Sequence, residues 1–94
     1  MMKAEHRLLS GTVSDGMFPT ERTIVFEDFE GNTVSVIASE RLVIEDSDCG
    51  FVRVMLIEAQ DESGRVVVLL PGDVYGAGQY AAVRASDLKT EAAA

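Results

Sequence analysis

One cysteine and one histidine set the limit on nucleophilic and metal chemistry in this 94-residue chain. Cys49 sits in "EDSDCGF", beside Glu45, Asp46 and Asp48. Negative neighbours disfavour the thiolate, the reverse of what a reactive cysteine needs. His6, the only candidate base for it, lies near the start of the chain, and no G-x-S-x-G elbow is present. Asp46 and Asp48 alternate as in a calcium loop. The glycine, however, falls at the fifth position rather than the sixth, and Ile57 stands where the closing glutamate belongs. A single chain with one His and one Cys cannot assemble a zinc site from N and S ligands. No metal and no cofactor are expected.

Acid–base chemistry has more raw material, because Asp and Glu together number 16. Most of them fall in turn-like stretches, as Asp28, Glu30, Glu45, Asp46, Asp48, Asp61 and Glu62 do. Solvated carboxylates keep ordinary acidity, whereas catalysis uses buried, shifted ones. Glu27 and Glu58 lie within strand-like runs, where alternation places them on a solvent side. The glycines of "YGAGQY" have the look of a phosphate cradle, but that motif needs a helix N-terminus directly after it, and here a strand follows. The expectation is a protein that is not an enzyme.

Charge narrows the partners. Lys and Arg number 8, so the net charge is 8 − 16 = −8, with a pI near 4.4. That balance repels phosphate backbones and anionic lipid. The arginines 22, 41, 53, 65 and 84 are dispersed and lie near acids, a pattern of cross-strand ion pairs rather than of a basic stripe. The longest apolar run, "VVVLL", is far below a membrane span, and "MMKAEHRLLSG" has no apolar signal core. A cytoplasmic location and no membrane are expected. One cysteine forms no internal disulfide.

The elements that must position any site are strands. Hydrophobic residues make up 47% of the chain, with almost no helical period and six β-rich runs, at 7–14, 22–28, 33–38, 51–60, 65–70 and 79–84. The second and third read as a hairpin over Glu30-Gly31-Asn32, with Asn32 at positive φ, Phe26 facing Val36 and Ile24 facing Ala38. The fourth and fifth flank "DESG". With Gln60 opposite Arg65, one face carries Met55, Ile57, Ala59, Val66, Val68 and Leu70. The other carries Val52, Val54, Leu56, Val67 and Leu69. Both faces are apolar, so something must cover each, and a second copy of the chain is one answer. "IASERLV" and "RASDLKT" echo each other, as two 3₁₀ turns that return Leu42 and Leu88 to the core and as a trace of internal duplication.

This pattern predicts an all-β domain: a small five- or six-stranded antiparallel barrel, SH3-like, with an OB-like barrel as the alternative. An OB-like barrel would want a helix where "SERLVIEDSD" stands. Residues 1–6 are expected to be flexible, 7–89 to form the single domain, and 90–94 to be a disordered tail. Two loops carry apolar residues that turns do not require: Met17 and Phe18 in "SDGMFPTER", and Tyr75 in "LLPGDVYGAGQY", with Tyr80 just after it. Such residues either plug a barrel end or converge on a shallow groove. The functional expectation is a non-catalytic module that binds another protein or itself through Met17, Phe18, Tyr75 and Tyr80. The alternatives are a nucleic-acid-binding barrel and a regulatory subunit of an enzyme.

Overall fold

The computed structural model describes residues 5–45, 50–76 and 78–90, and it is all-β. Six strands correspond to the six runs: β1 (His6–Asp15), β2 (Glu21–Glu27), β3 (Thr33–Ser39), β5 (Gly50–Glu58), β6 (Arg65–Leu69) and β8 (Tyr80–Arg84). Three strands of three residues each are added: β4 (Val43–Glu45), β7 (Asp73–Tyr75) and β9 (Leu88–Thr90). The sheet is antiparallel, in the order β7-β3-β2-β1-β5-β6-β8, with β4 on β5 and β9 on β1. It curls into a half-barrel around Leu9, Ile24, Phe26, Val34, Val36, Ala38, Val52, Val54, Val66, Val68, Leu70, Ala81 and Val83. Among the described residues no helix is long and apolar enough to cross a membrane.

Both hairpins turn on the same chemistry, Asp-x-x-Gly-x. In the first, the Asp28 carboxylate accepts from the N–H groups of Glu30 (3.0 Å) and Asn32 (2.8 Å), and the Gly31 N–H donates to the Asp28 carbonyl. In the second, the Asp61 carboxylate accepts from Ser63 N–H (2.8 Å) and Arg65 N–H (3.1 Å), and the Gly64 N–H donates to the Asp61 carbonyl. Positive φ falls on Gly31 and Gly64, not on Asn32.

This tighter turn corrects the first register. Phe26 faces Val34 and Ile24 faces Val36, two residues closer than expected, so the buried face is unchanged. The second register needs a larger correction. Between Leu56 and Glu58 the ladder shifts through a bulge. The inward set is therefore Val52, Val54 and Leu56 with Val66, Val68 and Leu70, while Met55, Val67 and Leu69 face outward.

The pairing maps onto itself when the two halves of the chain are exchanged. Leu9 pairs with Val52 across β1 and β5. On its other edge Leu9 pairs with Leu88 of β9, and Val52 likewise pairs with Val43 of β4. Further along, β1 leaves β9 for β2, as β5 leaves β4 for β6. Each half runs through a long strand, a hairpin and a 3₁₀ turn (Glu40–Leu42 or Ala85–Asp87), and gives its last strand to the other half.

The serine echo is out of step with this equivalence. Ser39, which accepts from the Arg41 N–H at 3.3 Å, corresponds to Arg84, and Arg84 makes no side-chain cap. Val43, not Leu42, is therefore the counterpart of Leu88 against the core.

Close approach demands glycine where β1 leaves β5. Gly11 and Gly50 pair there. A Cβ on Gly11 would lie 2.7 Å from Ile24 Cγ2, and one on Gly50 would collide with the Val13 side chain.

Two outcomes follow from these contacts. Gly50→Ala should lose about 1–3 kcal/mol in urea unfolding, because the added methyl overpacks Val13. Asp28 is held below its ordinary 3.8, first by the Asn32 N–H, with desolvation opposing and further turn hydrogen bonds assisting. A depressed folded value stabilises above 3.8 and is lost as pH falls through the folded value. The stability gap between wild type and Asp28→Ala should therefore be constant near neutrality and close progressively below pH 3.8.

Candidate functional site

The four apolar residues singled out in the sequence do not plug the core. Met17 is 75% exposed, Phe18 65%, Tyr75 55% and Tyr80 61%. Nor do they share one place. Met17 and Phe18 tip the β1–β2 turn, where the Phe18 carbonyl accepts from Glu21 N–H at 2.9 Å. Glu21 pairs with Ser39 at one end of β3, whereas Tyr75 pairs with Ser35, four residues away and about 13 Å along the strand. Tyr80 pairs with Leu69 in the other half.

The glycine-rich stretch that holds Tyr75 is a strand crossing. Gly72 and Gly76, both at positive φ, bracket β7 and lay it on the edge of β3. At the corresponding place in the other half, Phe29 N–H donates to the Ala82 carbonyl at 2.8 Å.

What the sequence did not reveal is the outward face of β9, β1, β5, β6 and β8. Strand pairing aligns its side chains in rows. His6, Met55, Leu69 and Tyr80 form one; Lys89, Leu8 and Arg53 form the next; Ser10, Phe51 and Ile44 form a third. None of these positions is acidic, in a chain of net charge −8. The first outward acid in β5 is Glu58, past the bulge and 4.0 Å from Arg65. Lys89 Nζ stands 4.9 Å over the Phe51 ring. Leu8, between Lys89 and Arg53, is buried on this face.

Two grooves open where the paired strands fork, and the exchange of halves relates them. At the β1 fork the walls include Ser10, Thr12, Val25 and Asp87; at the β5 fork their counterparts are Arg53, Met55, Leu69 and Leu42. The same backbone shape thus carries opposite chemistry. The β1 groove is polar and open, about 390 Å³, with the Arg84–Asp87 ion pair (3.7 Å) on its wall. The β5 groove is apolar, about 180 Å³ and as shallow as the first, lined by Leu42, Met55, Leu69 and Pro71 together with His6 and Arg53. Small-molecule sites usually offer roughly 300–1,000 Å³. The β5 groove is smaller, the size of one or two apolar side chains.

Acid–base and metal chemistry find little purchase among the described residues. Glu27 and Glu58 are exposed. Asp28 and Asp61 are held ionised by turn hydrogen bonds, Asp61 first by the Ser63 hydroxyl. No group of three or more His, Cys, Asp or Glu is placed to hold a metal. Cys49, Asp46 and Asp48, the residues of the calcium-like stretch, lie outside the described residues. Arg22 forms exposed ion pairs with Glu40 (3.7 Å) and Glu45 (3.6 Å), each worth less than about 1 kcal/mol.

Compared with known protein families, curated proteins and solved structures, the chain matches none of them.

The two forks should separate in solution. Titration with a small apolar cosolvent such as isopropanol should move the amide resonances of His6, Met55 and Leu69 and leave Thr12 and Glu27 in place. Uniform shifts at both forks would show that the β5 groove has no special affinity for apolar groups.

Proposed function

We propose that the protein is a non-catalytic module that binds another protein through the outward face of β9, β1, β5, β6 and β8, with the β5 groove receiving an apolar side chain of its partner. One observation carries this reading: an apolar groove of side-chain size whose described lining residues include no acid, on an acidic chain. Interfaces draw their affinity from a few anchors seated in desolvated pockets within a polar rim. Leu42, Met55, Leu69 and Pro71 supply such a pocket, Tyr80 extends it along the same row, and Arg53 and His6 stand at its edge. The partner segment presents an apolar residue.

Within the all-β class we read the half-barrel as SH3-like rather than OB-like. The support is the single 3₁₀ turn between β8 and β9 and the 3₁₀ turn, instead of a helix, in the segment where an OB-like barrel would need one. Tyr80 is the one residue of the four expected from sequence that adjoins the groove; Met17, Phe18 and Tyr75 are exposed elsewhere.

The test is selection of a random peptide library on the immobilised protein. Selected peptides should share an apolar residue, and their affinity should fall about tenfold or more in Leu69→Gln or Tyr80→Ala. The Phe18→Ala/Tyr75→Ala/Tyr80→Ala triple variant should stay folded, within about 0.5 kcal/mol per site, because all three side chains are exposed. Failure to select any peptide, with tight and steeply salt-dependent binding of single-stranded oligonucleotides instead, would replace this reading with nucleic-acid recognition on Phe51 and Tyr80.

A further inference from the structure

We infer that the hollow between β1, β5, β6 and β9 is a site for a small uncharged aliphatic molecule with one hydrogen-bonding head, the chemistry of a medium-chain alcohol. It shares no lining residue with the β5 groove and does not depend on the reading of that groove.

The hollow is open and about 360 Å³, within the roughly 300–1,000 Å³ of small-molecule sites. Leu56, Val66, Ala85 and Leu88 form its apolar wall. Val66 is buried, and the other three are half-buried against the core, so the wall is core carbon that reaches solvent. Backbone bonds hold it in place. Leu56 N–H donates to the Glu5 carbonyl (2.8 Å), and Ala85 N–H donates to the Gly64 carbonyl (2.9 Å). A wall formed before binding loses little freedom when a ligand arrives.

Exchange of the halves shows that the fold does not require this chemistry. The counterparts of Val66, Ala85, Leu88 and Thr90 are Arg22, Glu40, Val43 and Glu45, which line a hollow of their own. There Arg22 is tied to both glutamates, and Val43 alone is apolar. The bulge is one-sided as well. The ladder of β5 and β6 shifts between Leu56 and Glu58, whereas β1 and β2 pair without a shift from Thr12 to Asp15. Bulges are frequent beside functional sites, where they re-aim side chains.

Charge sets the class of occupant. On the rim, Glu5 and Arg7 pair with each other at 3.0 Å, and the remaining polar groups are the Gln60 amide and the Thr90 hydroxyl. The lining residues therefore offer a cation no unpaired carboxylate, and the net charge of −8 opposes an anion. An uncharged head can bond to the amide or the hydroxyl while an aliphatic body covers the wall.

Titration of the full chain with 1-butanol, 1-pentanol and 1-hexanol, followed by NMR, tests this. Resonances of Leu56, Val66 and Leu88 should move along one saturable curve, while those of Val43 stay in place. Affinity should rise about fourfold with each added methylene, the factor for burying a CH₂. Val66→Arg/Ala85→Glu, which copies the charged side, should lower hexanol affinity about tenfold or more, since charged groups then replace the apolar wall. Where that variant does not fold, Ala59→Phe, at an exposed position of the lining, fills the hollow and should have the same effect. Leu69→Gln, in the β5 groove, should leave the curve unchanged. Shifts that never saturate, equal shifts at Val43, affinity independent of alcohol length, or a folded Ala59→Phe variant that binds hexanol as wild type does would each overturn the inference.

Discussion

Leu9 against Val52 is the contact on which the structure turns. Both are fully buried, and each is also paired on its outer edge, Leu9 with Leu88 and Val52 with Val43. One row of four aliphatic side chains thus crosses β9, β1, β5 and β4. It joins the first and last described strands of the chain to the two strands at its middle. Because β4 and β9 are only three residues long, they leave most of β5 and β1 uncovered, and the hairpin strands β6 and β2 take over further along. The forks, and with them both grooves, are the direct result of two short strands stopping beside two long ones.

Exchange of the halves preserves the backbone plan but not its chemistry. At equivalent walls, Thr12 stands for Met55, Val25 for Leu69 and Asp87 for Leu42. Interior positions differ much less, as with Ile24 and Val68, or Ala38 and Val83, all buried. Core positions must fill a shared volume with carbon, whereas fork positions answer only to solvent and to whatever docks there. The contrast between the forks is why the apolar one reads as a site and not as incidental surface.

Much of this was legible in the chain because strand burial has a period of two. The six long strands and the inward set of the first hairpin follow from Ile24, Phe26, Val34, Val36 and Ala38 alone, and a two-residue error in register leaves that set intact. The second hairpin defeated the same logic, because a bulge after Leu56 reverses which residues face inward and leaves no mark in composition. β4, β7 and β9 are too short to show a period, and their existence depends on partners distant in sequence. The outward rows around Leu8 were invisible for the same reason. Arg53 and Lys89 are dispersed along the chain, and only their pairing to Leu8 places them side by side. Phe18 and Tyr75 were visible as apolar loop residues, but their separation is a matter of tertiary placement.

The return of β9 to β1 also governs when the molecule can become whole. During synthesis the first hairpin can assemble early, since its contacts are local. Leu9 keeps an open edge until Leu88 has been made, and Val43 waits for Val52. The nascent chain therefore carries an unfilled strand position until residue 88 has been made. The Glu5–Arg7 ion pair (3.0 Å) sets charge beside that edge, which discourages pairing with another chain.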